Sequence, residues 1–506
     1  MTYEREIPEA QKKTENLEDL PEFLPVPFET VRQFGHEMVN MIVDRMQTGN
    51  ERPIFPEPVS NEYLKTEIDS SLPIEATDPF QIMANLDKLV TEYSANFLHP
   101  GIISWVASTP LPLPGLIDGY LSALRIFPFS WRMTPASIQI ELITGQWLGK
   151  LCKFSDNAFP YFTTGGTMAN LYGLAAALTH KFGDRLKDSG LSNLPEIAIY
   201  TSDEAHICIE KSVILLGIGR KYLRRIPVDS HSRIDIVKLK KTIKEDVANN
   251  IIPVCIVGTV GTTLTGSIDP IEKLVECARE FDTWLHIDGA YGALAALGQK
   301  ENQSFEFLRY ADSLVIDPHK WLNIPFEAGC ILVKDKKVLS NCFTNIPSYL
   351  SGGGSSDQHD HWHYGFELSR ADRAIKVWFM LKQYGTNAIS KMISSHIEYA
   401  EKLYSLLLAD PNFEPLHKPE LSTLCFRFCN HDLSSVEVDQ INQQMEAELT
   451  TDGNCIVASA TYNNIAALRV CFVNHRTKWE TITAAIDRIR SIGLMLSATE
   501  LQQSRS

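Results

Sequence analysis

No apolar run in this chain approaches the roughly 20 residues that a membrane-spanning helix needs. Positive charge is also in short supply: 47 Lys and Arg face 62 Asp and Glu, a net charge of −15. An acidic surface attracts neither nucleic acid nor an anionic membrane, so neither is expected as a main partner. The opening residues, MTYEREIPEAQKKTENLEDL, are charged and lack the apolar segment of a signal peptide. Metal-ligand spacing is missing too. Cys425 and Cys429 in CFRFC alternate as a strand would, and no CxxC pair or histidine cluster completes a site around them. The ten cysteines are scattered and imply no disulfide framework. There is no GxGxxG of a dinucleotide fold, no lysine-bearing P-loop, no internal repeat and no extended low-complexity tract. These absences leave a soluble, cytoplasmic protein as the expectation.

What is present begins with length. A chain of 506 residues exceeds one ordinary core, and 44% hydrophobic with 22% charged residues is a globular balance, so two or three structural units are expected. Two strand-like runs stand out: WLHID ending at Asp288, and SLVIDPHKW leading through His319 to Lys320. Short apolar runs that finish in polar residues read as buried parallel strands delivering side chains at their carboxyl ends, where α/β sheets bind ligands. A carboxylate on one such end and a lysine on the next suit pyridoxal phosphate, which needs an amine anchor and an acidic partner for its ring nitrogen. Desolvation beside Trp321 is expected to lower the Lys320 pKa. Upstream, FTTGGTMANLYG turns through two glycines into a helix at Thr167, a start whose backbone N–H groups can hold an anion. Repeated strand-then-helix units, among them EIAIYTSDEAHICIEKSVILLG and IIPVCIVGTVGTT, predict an α/β fold with a mostly parallel sheet and helices on both faces.

DPHKW and HIDGAYG resemble the lysine and aspartate motifs of the group II pyridoxal phosphate-dependent amino acid decarboxylases, aromatic L-amino acid decarboxylase most closely. The resemblance is carried also by SDEAH around His206 and runs from about His99 to Gly385. It implies fold type I, with Lys320, Asp288, His206 and Tyr349 as catalytic residues. By the same resemblance His206 lies against the cofactor ring, Ala290 meets its other face, and Gly166, Thr167 and His319 fix the phosphate. Thr263 would orient Asp288 from behind, and Tyr349, in PSYL, would protonate the α-carbon after CO₂ leaves. Trp105, Phe127, Phe129 and Ser369 match substrate-lining positions. The glycine-rich continuation after Tyr349, and Ser369 where aromatic decarboxylases commonly carry glycine, depart from the family pattern.

The expected organisation is an N-terminal helical segment over 1–95, a large cofactor-binding domain over 96–385 and a small α+β domain over 386–506. In the resembled family the leading segment packs across a partner subunit, implying a homodimer with active sites at the interface. The implied reaction is α-decarboxylation of an L-amino acid, an aromatic one favoured. Histidine, acidic or small amino acids remain open as substrates, as do another fold type I lyase, an aminotransferase or an aldehyde synthase. A catalytically silent dimer is the rival from outside enzymology.

Overall fold

Val31, Phe34, Met38, Met41, Ile42 and Met46 recur at helical spacing, and the computed structural model places them on α1 (Phe28–Gln47). Residues 23–299, 301–344 and 359–503 are described. The chain divides into two units, Met1–Leu98 and His99–Ser506. In the first unit α1 is followed by α2 (Asn61–Glu67) and α3 (Pro79–Glu92). Asp78 caps α3 by accepting from the N–H groups of Phe80 and Gln81 at 3.0 and 3.1 Å, with Pro79 at the first helical position. Phe34 and Phe80 meet edge to face at 5.8 Å, and Arg45 Nε donates to Asp87 at 3.2 Å. Yet none of the residues of α1, α2 or α3 is buried. These helices expose apolar side chains, including Phe28, Val31, Val43 and Leu86.

The second unit is led by α4 (Pro112–Ala123) and α5 (Pro135–Leu151), then β1 (Phe159–Thr163) and α6 (Gly166–Phe182). Further strands are β2 (Ile197–Ser202), β3 (Leu223–Ile226), β4 (Ile252–Thr259), β5 (Trp284–Asp288), β6 (Ser313–Ile316) and β7 (Gly329–Val333). They form one sheet in the order β1-β7-β6-β5-β4-β2-β3, in which only the β7 pairings are antiparallel. The near-continuous apolar runs are explained by burial on both faces. Ile256, Leu285, Ile287, Leu314 and Ile316 enter one core. Their neighbours Cys255, Val257, Trp284 and Val315 enter the other, together with Ala169, Tyr172 and Leu174 of α6. Period-two alternation therefore aims Trp284, His286 and Asp288 at the face that α6 covers.

The C-terminal part holds a second sheet of β8 (Phe413–Pro415), β9 (Thr423–Phe428), β10 (Ala458–Tyr462) and β11 (Ile465–Cys471), antiparallel in the order β10-β11-β9-β8. Sequence periodicity predicts β9 and β11. It does not predict β8, which is three residues with a proline, or β10, ASATY, whose alternation is too weak. The helix Arg373–Leu408 is interrupted at Gly385 (φ 69°, ψ 159°), where the sequence placed a boundary, but both sides belong to the unit His99–Ser506.

Candidate active site

At the carboxyl ends of the parallel strands lies a cavity of about 340 Å³, within the range that takes a small ligand. Gly166 and Thr167 border it where α6 begins, Asp288 where β5 ends, Lys320 beyond β6, and His206 on the loop after β2. Thr263, Ala290 and His319 line it too, so eight residues named from sequence converge on one space. Trp105, Phe127, Phe129 and Ser369 are not among its lining residues. Trp105 is 40% exposed beside lining residue Val106, Phe127 and Phe129 pair at 5.9 Å, and Ser369 is exposed. Tyr349 lies outside the described residues.

Close approach explains the glycines of the turn. A methyl on Gly166 would stand 2.6 Å from Asp317 Oδ2, and one on Gly329 would stand 2.5 Å from Gly165 Cα. The turn can therefore seat against β7 and Asp317 only without side chains, leaving the α6 N-terminus open to the cavity. His319 accepts from the Ala328 N–H at 3.2 Å through Nδ1, which leaves Nε2 facing Asp317 Oδ2 at 3.7 Å. Burial lowers the His319 pKa despite that carboxylate.

Asp288 is nearly buried, and its Oδ1 accepts the Ala290 N–H at 3.1 Å. Its Oδ2 accepts from Asn170 Nδ2 at 3.1 Å. Thr263, expected to orient this carboxylate, makes no such bond; Asn170 does, because α6 crosses the β5 face directly while Thr263 is exposed on its loop. Asn170 stands one turn after Gly166, and that i, i+4 spacing was the signal in the sequence.

Lys320 Nζ stands 3.2 Å from Asp317 Oδ2, and its side chain is 27% exposed. Desolvation does lower its pKa, but the carboxylates of Asp317 and Asp288 outweigh burial, and the net direction is upward. The expectation of a lowered pKa is thus overturned by a partner that sequence reasoning did not weigh. Asp317 is 1% exposed, and its Oδ1 has no hydrogen-bond partner in the structure. Such a buried acceptor beside an amine, with a helix start that can hold an anion and a carboxylate around one cavity, is a donor set that fits pyridoxal phosphate. Lys320 would anchor it, Asp288 would meet its ring nitrogen, and Gly166 with Thr167 would take its phosphate.

Comparison with known proteins agrees with this geometry. A family model described as the pyridoxal-dependent decarboxylase conserved domain matches residues 61–429. An aromatic-L-amino-acid decarboxylase of Bacillus atrophaeus is 30% identical, covering 94% of this chain and 97% of its own length. A histidine decarboxylase of Drosophila melanogaster is 29% identical over 85% of this chain and 52% of its own. The solved structure of Catharanthus roseus tryptophan decarboxylase in complex with L-tryptophan superposes with a TM-score of 0.84 at 26% identity, covering 94% of this chain and all of that one (100%).

Proposed function

The chain belongs to the pyridoxal-dependent decarboxylase family and is a pyridoxal phosphate-dependent carboxy-lyase, and from that premise we propose that it converts an aromatic L-amino acid to its amine and CO₂. The observation that carries the substrate reading is the charge of the cavity: among its described lining residues, Lys320 is the only lysine or arginine. An acidic side chain would lose its hydration there with no cation to meet it, whereas an aromatic ring costs nothing comparable. Exposed Trp105 beside Val106 supplies apolar surface next to the cavity.

In this reading Lys320 is the covalent anchor. Its raised pKa means that the amine must lose a proton before it can act as a nucleophile, and Asp317 at 3.2 Å holds the charged amine in place until it does. Asp288 would keep a proton on the cofactor's ring nitrogen, His206 and Ala290 would border its ring, and Gly166, Thr167 and His319 would hold its phosphate. Bound pyridoxal phosphate supplies the ring that takes up the electron pair released as CO₂ departs. The bond that breaks would be chosen by how the site orients the substrate carboxylate, an effect of positioning rather than of acid-base chemistry. Tyr349 would deliver a proton to the α-carbon, the role that the resemblance gives it.

The proposal includes a homodimer in the cytoplasm. It is supported by the unburied apolar faces of α1 and α3, which need a partner to leave water, and by the position of Phe127 and Phe129 away from their own chain's cavity. All ten cysteines are free thiols, as a reducing compartment would keep them. The test offers the purified holoenzyme the common L-amino acids and identifies the amines by chromatography. Aromatic amines are the expected product. Histamine or γ-aminobutyrate in their place would reassign the substrate, and a wild-type protein that shows no visible absorption with pyridoxal phosphate would favour a catalytically silent protein.

A further inference from the structure

Behind Asp288 lies a line of buried polar side chains that the reaction as described does not use. Trp284 Nε1 lies 2.8 Å from Ser313 Oγ, which lies 2.7 Å from His286 Nδ1. His286 Nε2 lies 2.8 Å from Asn170 Oδ1, and Asn170 Nδ2 lies 3.1 Å from Asp288 Oδ2. Ser313 and His286 are fully buried and Asn170 is 1% exposed, so water cannot substitute for the bonds that His286 makes. Such a chain in a low-dielectric interior is worth keeping only if every member is satisfied.

The donors can be assigned without ambiguity. Asn170 Nδ2 also faces Gly166 O at 2.9 Å and Cys208 Sγ at 3.4 Å; with the Asp288 carboxylate these are three acceptors. The amide nitrogen must therefore point that way, leaving Oδ1 toward His286. An amide oxygen can only accept, so His286 Nε2 carries a proton. The indole of Trp284 can only donate, so Ser313 Oγ receives that bond and directs its own hydrogen to His286 Nδ1. A neutral ring protonated at Nε2 alone satisfies both neighbours.

We infer that Trp284, Ser313, His286 and Asn170 form a one-way relay of donors ending on Asp288, and that Asn170 and His286 are positioning residues for its carboxylate. With Oδ2 taken by Asn170 and Oδ1 by the Ala290 N–H, the carboxylate plane is fixed, and its remaining lone pairs face the cavity. The same amide ties Asp288 to Gly166, so the ring-nitrogen partner and the phosphate turn move as one piece. Gly173 is the second sign of this arrangement. A methyl there would sit 2.2 Å from His286 Cε1 and 2.4 Å from Nδ1, so α6 carries glycine where the imidazole must lie against it. Gly166, Asn170 and Gly173 share one helix face, each serving one station of the line.

The inference rests on the cofactor reading but is tested partly without it. Solid-state ¹⁵N spectra of the full-length apoprotein labelled at histidine, with His286→Gln as the assignment control, should show His286 neutral and protonated at Nε2 from pH 6 to 9. A proton on Nδ1, or titration within that range, overturns the relay whether or not the protein binds cofactor. Binding of pyridoxal phosphate is then measured by fluorescence quenching. His286→Leu should weaken it by about tenfold or more, because it leaves the Asn170 amide oxygen that faces it buried without a donor. His286→Gln, which can both donate and accept, should stay within about threefold of wild type. Gly173→Ala should behave like His286→Leu, and the glutamine and leucine variants decide the matter if the alanine protein does not fold. Equal losses in the glutamine and leucine variants, or none in either, would leave His286 as packing only. Failure of the wild type to bind pyridoxal phosphate would instead count against the cofactor reading, with the ¹⁵N result still standing.

Discussion

Removing both members of a buried ion pair is often harmless, and here it should not be. Glu141 on α5 and Arg370 are 0% and 1% exposed at their side chains, joined Nη2 to Oε2 at 2.6 Å. β1 is an edge strand, hydrogen-bonded only to β7, so the outward backbone groups of Phe162 have no neighbouring strand. The pair replaces one: the Phe162 N–H donates to Glu141 Oε1 at 3.0 Å, and the Phe162 carbonyl accepts from Arg370 Nη1 at 3.0 Å. Arg370→Met alone strands a buried carboxylate and should cost about 3–5 kcal/mol. In an ordinary apolar site the double variant Glu141→Leu/Arg370→Met would recover most of that. Here it leaves a buried N–H and a buried carbonyl unpaired, each costing about 1–3 kcal/mol, so the double variant should remain about 2–6 kcal/mol below wild type. Hydrogen exchange read by mass spectrometry on the 159–163 peptide is the direct assay, since about 2 kcal/mol already corresponds to roughly 30-fold faster exchange through local opening. Exchange in the double variant within threefold of wild type would show that the pair does not stand in for a strand. Burial pushes the Glu141 carboxyl up, but Arg370, His361 and the Phe162 N–H outweigh it and hold it below the usual carboxylate range. The pair's contribution is therefore present above the ordinary glutamate pKa and lost as pH falls through the lowered one.

Asp372 should show the opposite slope. Burial pushes its pKa up to about 7 despite the Ser137 hydroxyl, so the folded state holds a proton that the unfolded state has released. Its contribution is full below the ordinary aspartate pKa and falls as pH rises toward 7. Asp372→Asn, which keeps the helix cap, should flatten that fall; melting temperatures at pH 5 and pH 8 measure it, and an unchanged difference between them would refute the assignment. Tyr349→Phe should turn product from amine toward aldehyde and ammonia, read by carbonyl trapping, and an unchanged amine yield would remove the tyrosine from the reaction.

The strand end at Asp288, the strand that leads to Lys320 and the glycine turn before Thr167 were legible in the chain because each is a local pattern. An apolar run, its period and the residue that stops it lie within ten positions of one another, and the physics that reads them is short-range. His286 was visible as the lone polar side chain inside WLHI, but its role was not. The same holds for Asp317, two residues before His319, whose carboxylate raises the Lys320 pKa only because the turn after β6 folds the two side chains together. Asn170 meets residues 116 and 118 positions away, and Arg370 meets Glu141 across 229, at distances set by strand register and by the rotation of α6 and α5 on the sheet. Local preference decided which residues could do chemistry. Packing decided which of them hold the others in place, since a hydrogen bond depends on tenths of an ångström and those belong to the assembled core.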